Sequence, residues 1–345
     1  MNPDKIHQAL PVRYRSRQVS GSALLAALLT VALVAGFASR AFWQEWRSVE
    51  VETAERGRLK ASWLLDGAHD WARARLRDDA QYNRAVDHAG EAWAQPVVNR
   101  PLDDFWAGSV AIEDRSSADT NVPARPFVSQ QLSDAQGKMN VLNLLEGQNL
   151  SPQWLKAFDK LFEVLKLAPE QLIILSDNLR LASTASSVVG AGDTASTEAA
   201  LMPQKVSQLV WLGLAPATMD ALQAHVTLLP SRTPVNLNSA SVEVLQSLLP
   251  SFQRADAERV VALRLIAPFQ TVTDAGITDL QSEGQYSVSS RFFELHSEIW
   301  LELASVAENS LLQRDGLNVR TLWRRRVVAT ENSSFTSTLA SQQNP

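Results

Sequence analysis

The stretch that decides the fold is RSRQVSGSALLAALLTVALVAGFASRAFW, which runs from Arg15 to Trp43. Residues 22–39 within it carry no charge. As a helix they would extend about 27 Å at 1.5 Å per residue, close to the thickness of the hydrocarbon core of a bilayer. Basic residues precede this run, and by the positive-inside rule they predict a cytoplasmic N-terminus and an exported C-terminal part. These basic residues are Lys5, Arg13, Arg15 and Arg17.

A cleavable secretory signal is the first alternative for this run. Such a signal ends in a small-residue cleavage site, and the tripeptide GFA at 36–38 could serve as one. The apolar periodicity does not stop there, however, because it continues at helical spacing through Leu76 without a proline. We therefore expect an amphipathic helix over residues 40–90 that continues from the membrane span. Gly57 and Gly67 weaken this helix without ending it.

Bulk composition narrows the class of protein. The chain has 345 residues, enough for about two domains. Its net charge of -5 gives no reason to expect a nucleic-acid partner, and the absence of cysteine excludes disulfides and thiolate metal sites. The histidines show no zinc-enzyme spacing, and the sequence contains no nucleophile–base–acid constellation or phosphate loop. We therefore expect a protein that is not an enzyme.

The start of the chain resembles a type IV pilin-like class III leader, in which a basic segment and a glycine precede an intact apolar helix. The resemblance implies that a prepilin peptidase cuts between Gly21 and Ser22, with methylation of the new N-terminus. Members of this class usually carry glutamate at mature position five, where this chain has Ala26. That carboxylate is thought to meet the terminal amine of the subunit ahead, so its absence implies a subunit with none ahead. A lone carboxylate in lipid would also be costly.

Motifs along the rest of the chain carry a second resemblance. In their order they resemble the large minor pseudopilin of type II secretion, the general secretion pathway protein K family. The motif residues are Asp104, Trp106, Ala107, Asp134, Gln136, Gly137, Lys138, Asn140, Asn143, Gly213, Val226, Thr227, Pro230, Asn236, Asn238, Ser239 and Ala240.

The resemblance implies an α+β fold with a long N-terminal transmembrane and amphipathic helix, a small antiparallel sheet and a large inserted α-helical domain. The implied division is a leader at 1–21, a transmembrane segment at 22–39, an amphipathic helix at 40–90, a sheet region at 91–144 and 286–328, an inserted helical domain at 145–285 and a disordered tail at 329–345.

Local patterns add detail to the helical region. Ser151 is predicted as an N-cap with Pro152 in the first turn of its helix. Ser239 is predicted as the N-cap of a later helix, with Glu243 in its first turn. The Ser/Ala/Thr/Gly-rich segment 182–201 predicts a mobile loop.

Strand signals flank the helical region. SDAQGKMNV around Gly137 predicts a β-hairpin turn that leads into a strand, and apolar alternation from Phe293 to Leu303 predicts another strand. Asp315-Gly316 predicts a type I′ hairpin. The basic run Arg324–Arg326 predicts a solvated edge strand, because charge there blocks sheet addition.

The resemblance also implies a calcium site, but this chain matches the calcium-binding motifs only weakly. The family carries those acidic motifs in the helical region, and here only Asp177, Asp193 and Glu198 remain. Calcium takes six to eight oxygen ligands, so these three are calcium candidates with ordinary loop residues as the alternative. We expect no other cofactor.

DNA binding is a competing interpretation of VNLNSASVEVLQSLLPSF, residues 235–252, which also resembles the start of a helix-hairpin-helix module. Such modules use hairpin glycines to bring backbone N–H groups to phosphate, and both glycines are missing between Leu249 and Arg254. Asp256 and Glu258 replace a basic stripe. The sequence therefore predicts a packing module and no nucleic-acid partner.

The resemblance implies a minor pseudopilin at the tip of the pseudopilus that helps initiate or cap the filament during export of folded proteins across the outer membrane. The implied partners are the other minor pseudopilins, the prepilin peptidase and the bacterial inner membrane, with the C-terminal bulk in the periplasm. Two alternatives stay open: a minor pilin-like subunit of a related pilus or DNA-uptake system, and an uncleaved membrane-anchored adaptor.

Overall fold

The computed structural model describes residues 20–106, 125–188, 201–249, 252–277, 284–301 and 304–327. The fold is α+β, as the sequence predicts, with a long N-terminal helix, an antiparallel sheet and a helical region. The chain divides into two compact units, Met1–Arg56 and Gly57–Pro345.

The α-helices of the described residues differ widely in length. They are α1 (Ser20–Tyr82), α2 (Leu102–Trp106), α3 (Pro152–Val164), α4 (Pro169–Val188), α5 (Pro216–Leu222), α6 (Val242–Leu248) and α7 (Arg254–Ile266). Short 3-10 helices cover Ala92–Ala94, Ala135–Gly137, Val141–Leu144, Val206–Leu212 and Val272–Ala275.

The strands form one main sheet and three small ladders. They are β1 (Val97–Pro101), β2 (Phe127–Asp134), β3 (Met139–Asn140), β4 (Leu145–Glu146), β5 (Asn149–Leu150), β6 (Val226–Thr227), β7 (Val235–Asn236), β8 (Tyr286–Ser287), β9 (Phe292–Leu301), β10 (Ala304–Asp315) and β11 (Asn318–Val327). The main sheet has the order β1-β2-β9-β10-β11 and is antiparallel throughout. The pairs β3–β6 and β7–β8 are parallel, whereas β4–β5 is antiparallel.

Helix α1 is long and apolar enough near its N-terminus to cross a membrane, judged by length and composition. It runs through Gly57 and Gly67 without a break, as predicted. It ends at Tyr82, so the predicted amphipathic helix over 40–90 is too long. Five residues further on, Asp87 is buried and pairs with Arg314 of β10.

The C-terminal part of α1 packs on one face of the main sheet through a row of small and medium side chains. Ala is frequent in this row, and small side chains let a helix backbone approach a sheet closely. Spacing of three and four residues places all of them on one helix face. This row, the helix interface, consists of Ala61, Leu65, Ala68, Ala72 and Leu76, each with no exposed surface. It contacts Val128, Ile299, Phe293 and Leu295 of β2 and β9.

Strand β11 is the edge of the sheet, and its arginines are not simply solvated as the sequence predicted. Arg324 donates to Glu308 Oε1 at 2.6 Å and also to Asp66 on α1. Arg326 donates to Ser62 Oγ at 2.6 Å. These side chains tie the edge strand to α1, because the helix passes directly beside them.

The β10–β11 hairpin differs from the predicted type I′ turn. Asp315 pairs with Asn318, so the two loop residues are Gly316 and Leu317. A type I′ turn needs positive φ at both loop residues, but only Gly316 has it, at +60°. Glycine at the first loop position is typical of a type II′ turn. The predicted strand over 293–303 is present as β9, with its last residues outside the described ones.

The predicted hairpin around Gly137 is wrong. Strand β2 ends in a 3-10 turn, and the next strand, Met139–Asn140, is two residues long. It pairs in parallel with Val226–Thr227 instead of returning along β2. Met139, Val141 and Leu144 then pack in the core of the helical region, so the chain leaves the sheet before residue 145.

The helical region has its own apolar core. Helix α3 contributes its large side chains, and both α4 and α6 pack against it. The principal core residues are Trp154, Phe158, Leu161, Phe162, Leu172, Leu175, Leu179, Val244, Leu245 and Leu248.

Helix ends in this region correct three predictions. Ser151 precedes Pro152 at the start of α3 as predicted, but no hydrogen bond from its side chain caps the helix. Helix α4 extends to Val188, so the first part of the predicted loop 182–201 is helical. Ser241, and not Ser239, caps α6 by accepting from Val244 N. The first-turn position predicted for Glu243 is correct.

Candidate functional site

The predicted peptidase site lies at the start of α1. Gly21 and Ser22 are helical, since α1 begins at Ser20. Ala26 is exposed one turn further on. The large apolar side chains of this part of α1 are each more than half exposed: Leu24, Leu25, Leu28, Leu29, Val31, Leu33, Val34 and Phe37. A surface of this kind needs an apolar environment, and lipid provides one. Cleavage at this site stays a prediction.

A buried carboxylate joins the helical region to the sheet. Asp134, the last residue of β2, accepts hydrogen bonds at Oδ2 from Ser239 Oγ, from Ser290 Oγ at 2.7 Å and from Asn236 Nδ2 at 2.8 Å. Its other oxygen accepts from Gln136 N at 2.8 Å. We name Asp134 and its three side-chain donors, Asn236, Ser239 and Ser290, the polar junction.

Ser239 lies two residues before Ser241, the N-cap of α6, and its hydroxyl donates to Asp134 in the polar junction. Burial raises the pKa of the Asp134 carboxyl, and the hydrogen bonds from Ser239 and Ser290 oppose that shift. Asn236 and Ser290 are 54 residues apart in the chain, and Asp134 lies at the end of β2. One carboxylate therefore fixes both of these distant positions to β2.

Three asparagines extend this attachment by pairing with backbone as a peptide group would. Asn143 donates to Thr233 O at 2.8 Å and accepts from Thr233 N at 3.0 Å. Asn238 makes the same double contact with Phe269, at 3.0 and 2.9 Å. Asn140 donates to Ser231 O and accepts from the backbone N–H of residues 142 and 229. Their amides satisfy backbone groups that are buried outside regular ladders.

Gly137 is required by a close approach of two backbones. A Cβ atom placed there would lie 2.8 Å from the carbonyl oxygen of Ser239. Real Cβ atoms do not come so near, and neither backbone can move without disturbing Asp134. Glycine therefore lets the 3-10 turn after β2 touch the loop before α6.

A buried arginine, which the sequence did not single out, lies beside the polar junction. Arg314 on β10 donates to both carboxylate oxygens of Asp87, at 2.6 and 2.7 Å, and to Asp79 Oδ2 at 2.7 Å. Asp87 is fully buried and also accepts from Ser290 N at 2.7 Å. Burial raises the pKa of Asp87, and the charge of Arg314 opposes that effect.

Oxygens of Asp79, Asp87 and Glu91 approach one another closely enough to hold a metal ion. Arg314 already supplies positive charge to the first two, however, and Glu91 accepts from Trp93 Nε1 at 2.7 Å. The three carboxylates therefore form a structural cluster around the side chain of Arg314. A charged residue at an inward-facing strand position was the only signal in the sequence for it.

The predicted calcium ligands are not brought together within the described residues. Asp177 is exposed on α4. Asp193 and Glu198 lie outside the described residues, and so does Ala107 of the first motif. The calcium site stays a prediction.

Helices α6 and α7 pack against each other at the position of the helix-hairpin-helix resemblance. The exposed side of α7 carries Arg254 paired with Glu258 at 2.8 Å and Arg259 paired with Asp256 at 3.1 Å. These ion pairs neutralise the arginines, so they do not form the basic stripe that phosphate binding needs.

Comparison with known proteins agrees with the order of the motifs. The family model for type II secretion system (T2SS), protein K, matches residues 235–289. The type II secretion system protein K of Pseudomonas aeruginosa is 28% identical over 320 residues, which cover 86% of this chain and 90% of that protein. The resemblance to protein K is confirmed. The matched segment begins at β7 and ends just before Ser290, so it coincides with the part that the polar junction holds.

The fold is also similar to a chain in the crystal structure of the GspK-GspI-GspJ complex from the type 2 secretion system of enterotoxigenic Escherichia coli. The TM-score is 0.56 with 18% sequence identity, over 81% of this chain and 99% of that chain. This match supports the α+β fold of protein K for the present chain.

Proposed function

We propose that this chain is a minor pseudopilin of a type II secretion system, anchored in the bacterial inner membrane by residues 22–39. The observation that carries the proposal is helix α1. Its N-terminal part is apolar and exposed, and it continues without a break into the helix interface on the sheet. A discarded signal peptide would have no reason to continue in this way, whereas an anchored filament subunit needs both parts. The similarity to protein K supports the same conclusion.

Processing of the N-terminus tests this proposal. We expect a prepilin peptidase to cut between Gly21 and Ser22, so that mass spectrometry of the membrane-extracted protein finds Ser22 as the first residue. Gly21→Val should retain the leader, and Gly36→Val, a matched change within the span, should not. A wild-type protein that keeps Met1 would favour the uncleaved adaptor. A protein that begins at Ser39 would indicate an ordinary signal peptide.

The topology of the protein follows from the basic residues before the span. They keep the N-terminus in the cytoplasm, so the unit Gly57–Pro345 lies in the periplasm. A C-terminal alkaline phosphatase fusion should be active and a C-terminal β-galactosidase fusion inactive. The opposite pattern would refute the proposed orientation.

The partners that we propose are other minor pseudopilins. The similar crystal structure is that of a complex of GspK, GspI and GspJ, which supports this choice. The full-length chain, co-expressed with two such subunits and extracted in detergent, should co-purify with one copy of each. Purification of this chain alone in the presence of both would contradict the proposal.

A position at the tip of the pseudopilus follows from Ala26. A subunit inside the shaft would need a carboxylate for the amine ahead of it, and Ala26 offers none. Ala26→Glu should therefore bring no gain of secretion, because its carboxylate in the bilayer has no partner. Immunogold label should lie at one filament end, whereas label along the shaft would exclude a tip position. A structural role of this kind requires no catalysis.

A DNA-uptake subunit is the alternative that the α6–α7 resemblance favours. The full-length protein in detergent should bind duplex DNA no better than serum albumin at about 0.15 M salt, since its α7 arginines are paired. Tight binding that weakens steeply with salt would make the uptake system the better assignment.

A further inference from the structure

Helix α4 carries large apolar side chains on its outer side as well as on its inner face. Its inner face packs in the core of the helical region through Leu172, Leu175 and Leu179. Its outer face presents Ile173 and Leu181 to solvent, with 60% and 47% of their surface exposed. An amphipathic surface helix normally shows charged or polar residues on that side.

Helix α3, which lies beside α4, has the usual arrangement. After Pro152 in the first turn, its exposed side chains are polar or charged, and they include Lys156, Asp159 and Glu163. Exposed large apolar side chains therefore occur on α4 but not on α3, and α7 also exposes Leu263, Leu265 and Ile266. An outer apolar face is typical of a surface that another molecule covers.

A tryptophan extends the apolar face beyond α4. The 3-10 helix Val206–Leu212 ends against α4, where Asn178 Nδ2 donates to Leu212 O at 3.0 Å. Ile174 also lies here, because its Cγ2 would be 2.6 Å from a Cβ atom on Gly213. Trp211, in the same short helix, is 52% exposed. We name Ile173, Ile174, Leu181 and Trp211 the α4 surface.

Two carboxylates lie on the same side of α4, and Asp177 stands one turn from both Ile173 and Leu181. Glu170 and Asp177 are exposed and lie one helical turn before and after the two isoleucines. Neither forms an ion pair within the described residues, and the half-buried Arg180 on the next turn pairs with neither. Acidic groups around an apolar patch favour a partner with the opposite charge at its rim.

We propose that the α4 surface docks a second protein, through a segment that presents aliphatic side chains flanked by lysine or arginine. Tryptophan is among the residues that dominate binding energy at interfaces, and Trp211 would be the anchor. The aliphatic side chains of the partner contact Ile173, Ile174 and Leu181, and its cations pair with Glu170 and Asp177. This docking goes beyond a position in the pseudopilus, and it assigns Asp177 a role in partner binding.

Photocrosslinking in cells tests the proposal on the full-length, membrane-anchored chain. A photoreactive amino acid replaces Ile173 or Leu181 in two variants, and Lys156 or Glu163 of α3 in two matched controls. We expect a crosslinked protein with the α4 variants and none with the α3 variants. Mass spectrometry should locate the crosslink in a segment of the partner that combines aliphatic with basic residues.

Charge reversal then tests the chemistry of recognition. Glu170→Lys combined with Asp177→Lys should lower the crosslinking yield from Leu181 about threefold to tenfold, as expected for two exposed ion pairs. Asp159→Lys on α3 is the control and should leave the yield unchanged. Equal thermal unfolding of all variants confirms that the fold is intact.

Several results would overturn the proposal. They are a crosslink within the same chain, a crosslink to a second copy of it, equal crosslinking from α3, no crosslink from α4, and a yield that charge reversal leaves unchanged. If no crosslink forms from α4 while the minor pseudopilins still co-purify with this chain, the docking proposal is wrong and the proposed place in the filament stands.

Discussion

The main sheet is joined to its two neighbours in different ways. Helix α1 rests on it through the helix interface, a row of buried alanines and leucines. The helical region is attached through the polar junction, where Asp134 receives three side-chain hydrogen bonds. Apolar packing is not directional and depends on fit, whereas hydrogen bonds fix orientation. Packing against the sheet therefore sets the distance of α1, and hydrogen bonds to the sheet set the orientation of the helical region.

The two attachments should therefore fail in different ways. A side chain of the wrong size should disturb the helix interface, and a lost donor or acceptor should disturb the polar junction. Arg314 stands between the two, because it pairs with Asp79 at the end of α1 and with Asp87 beside Ser290.

Arg314→Met should have the largest effect. It leaves the carboxylate of Asp87, which is fully buried, without its cation, and loss of one partner of a buried ion pair costs about 3–5 kcal/mol. Urea unfolding of the detergent-solubilised full-length chain, followed by tryptophan fluorescence, measures the loss. Arg320→Met on the neighbouring strand is the control, because that arginine is exposed. Equal losses of unfolding free energy in both variants would show that the buried pair of Arg314 with Asp87 contributes no special stability.

Asp134→Ala should be the next most damaging change. It leaves the donors of Asn236, Ser239 and Ser290 without their shared acceptor in a buried site, at a cost of about 3 kcal/mol. Ser133→Ala, at the adjacent and partly exposed position, should cost under about 0.5 kcal/mol. The expected mode of failure is also specific. Limited proteolysis should cut first near the ends of segment 235–289, and uniform cleavage would contradict an orienting role.

The sequence predicted those parts of the fold that depend on local periodicity. The continuity of α1 through Gly57 follows from apolar spacing and the absence of proline, and β9 follows from strict alternation. Motif order then indicated which residues are special, and Asp134, Asn236 and Ser239 do meet. The sequence did not predict that these three side chains bind one another, because Asp134 is about a hundred residues away from Asn236 and Ser239.

Predictions failed where a tertiary contact competed with a local preference. Ser239 has the right residue type for an N-cap, but its hydroxyl binds Asp134, and the helix begins after Ser241, two residues later. Gly137 was assigned to a hairpin, whereas its close contact with the Ser239 backbone explains it better. No local sequence pattern predicts the ion pair between Arg314 and Asp87.

Ala68→Leu tests the helix interface and should have an intermediate effect. Ala68 has no exposed surface, and its carbonyl accepts from Gln130 Nε2 at 2.8 Å. Additional methylene groups in a well-packed site cost about 1–3 kcal/mol. Ala54→Leu, at an exposed position of the same helix, should change the free energy of unfolding by less than about 0.5 kcal/mol. If Ala68→Leu is neutral, the interface is looser than its alanines imply.

His69 should give the smallest effect, and it concerns pH. The imidazole is 4% exposed at the helix interface, near Thr321 Oγ1 at 3.3 Å. Burial lowers its pKa from 6.5, and the nearby charge of Arg324 acts in the same direction, while Glu308 and Asp70 oppose both. Below pH 6.5 the unfolded chain therefore takes up a proton that the folded chain refuses. Stability due to this group is present above that pH and is lost as the pH falls through the lowered folded pKa.

His69→Gln removes this proton and keeps a polar group next to Thr321. Between about pH 7 and about pH 5 the variant should lose less stability than the wild type, by up to about 1 kcal/mol. His88 and His225 also have lowered pKa values, and the pKa of Asp87 is raised. All three remain in both proteins, so their contributions cancel in the difference. If wild type and His69→Gln show parallel pH profiles of unfolding, protonation of His69 does not disturb the helix interface, and the prediction is wrong.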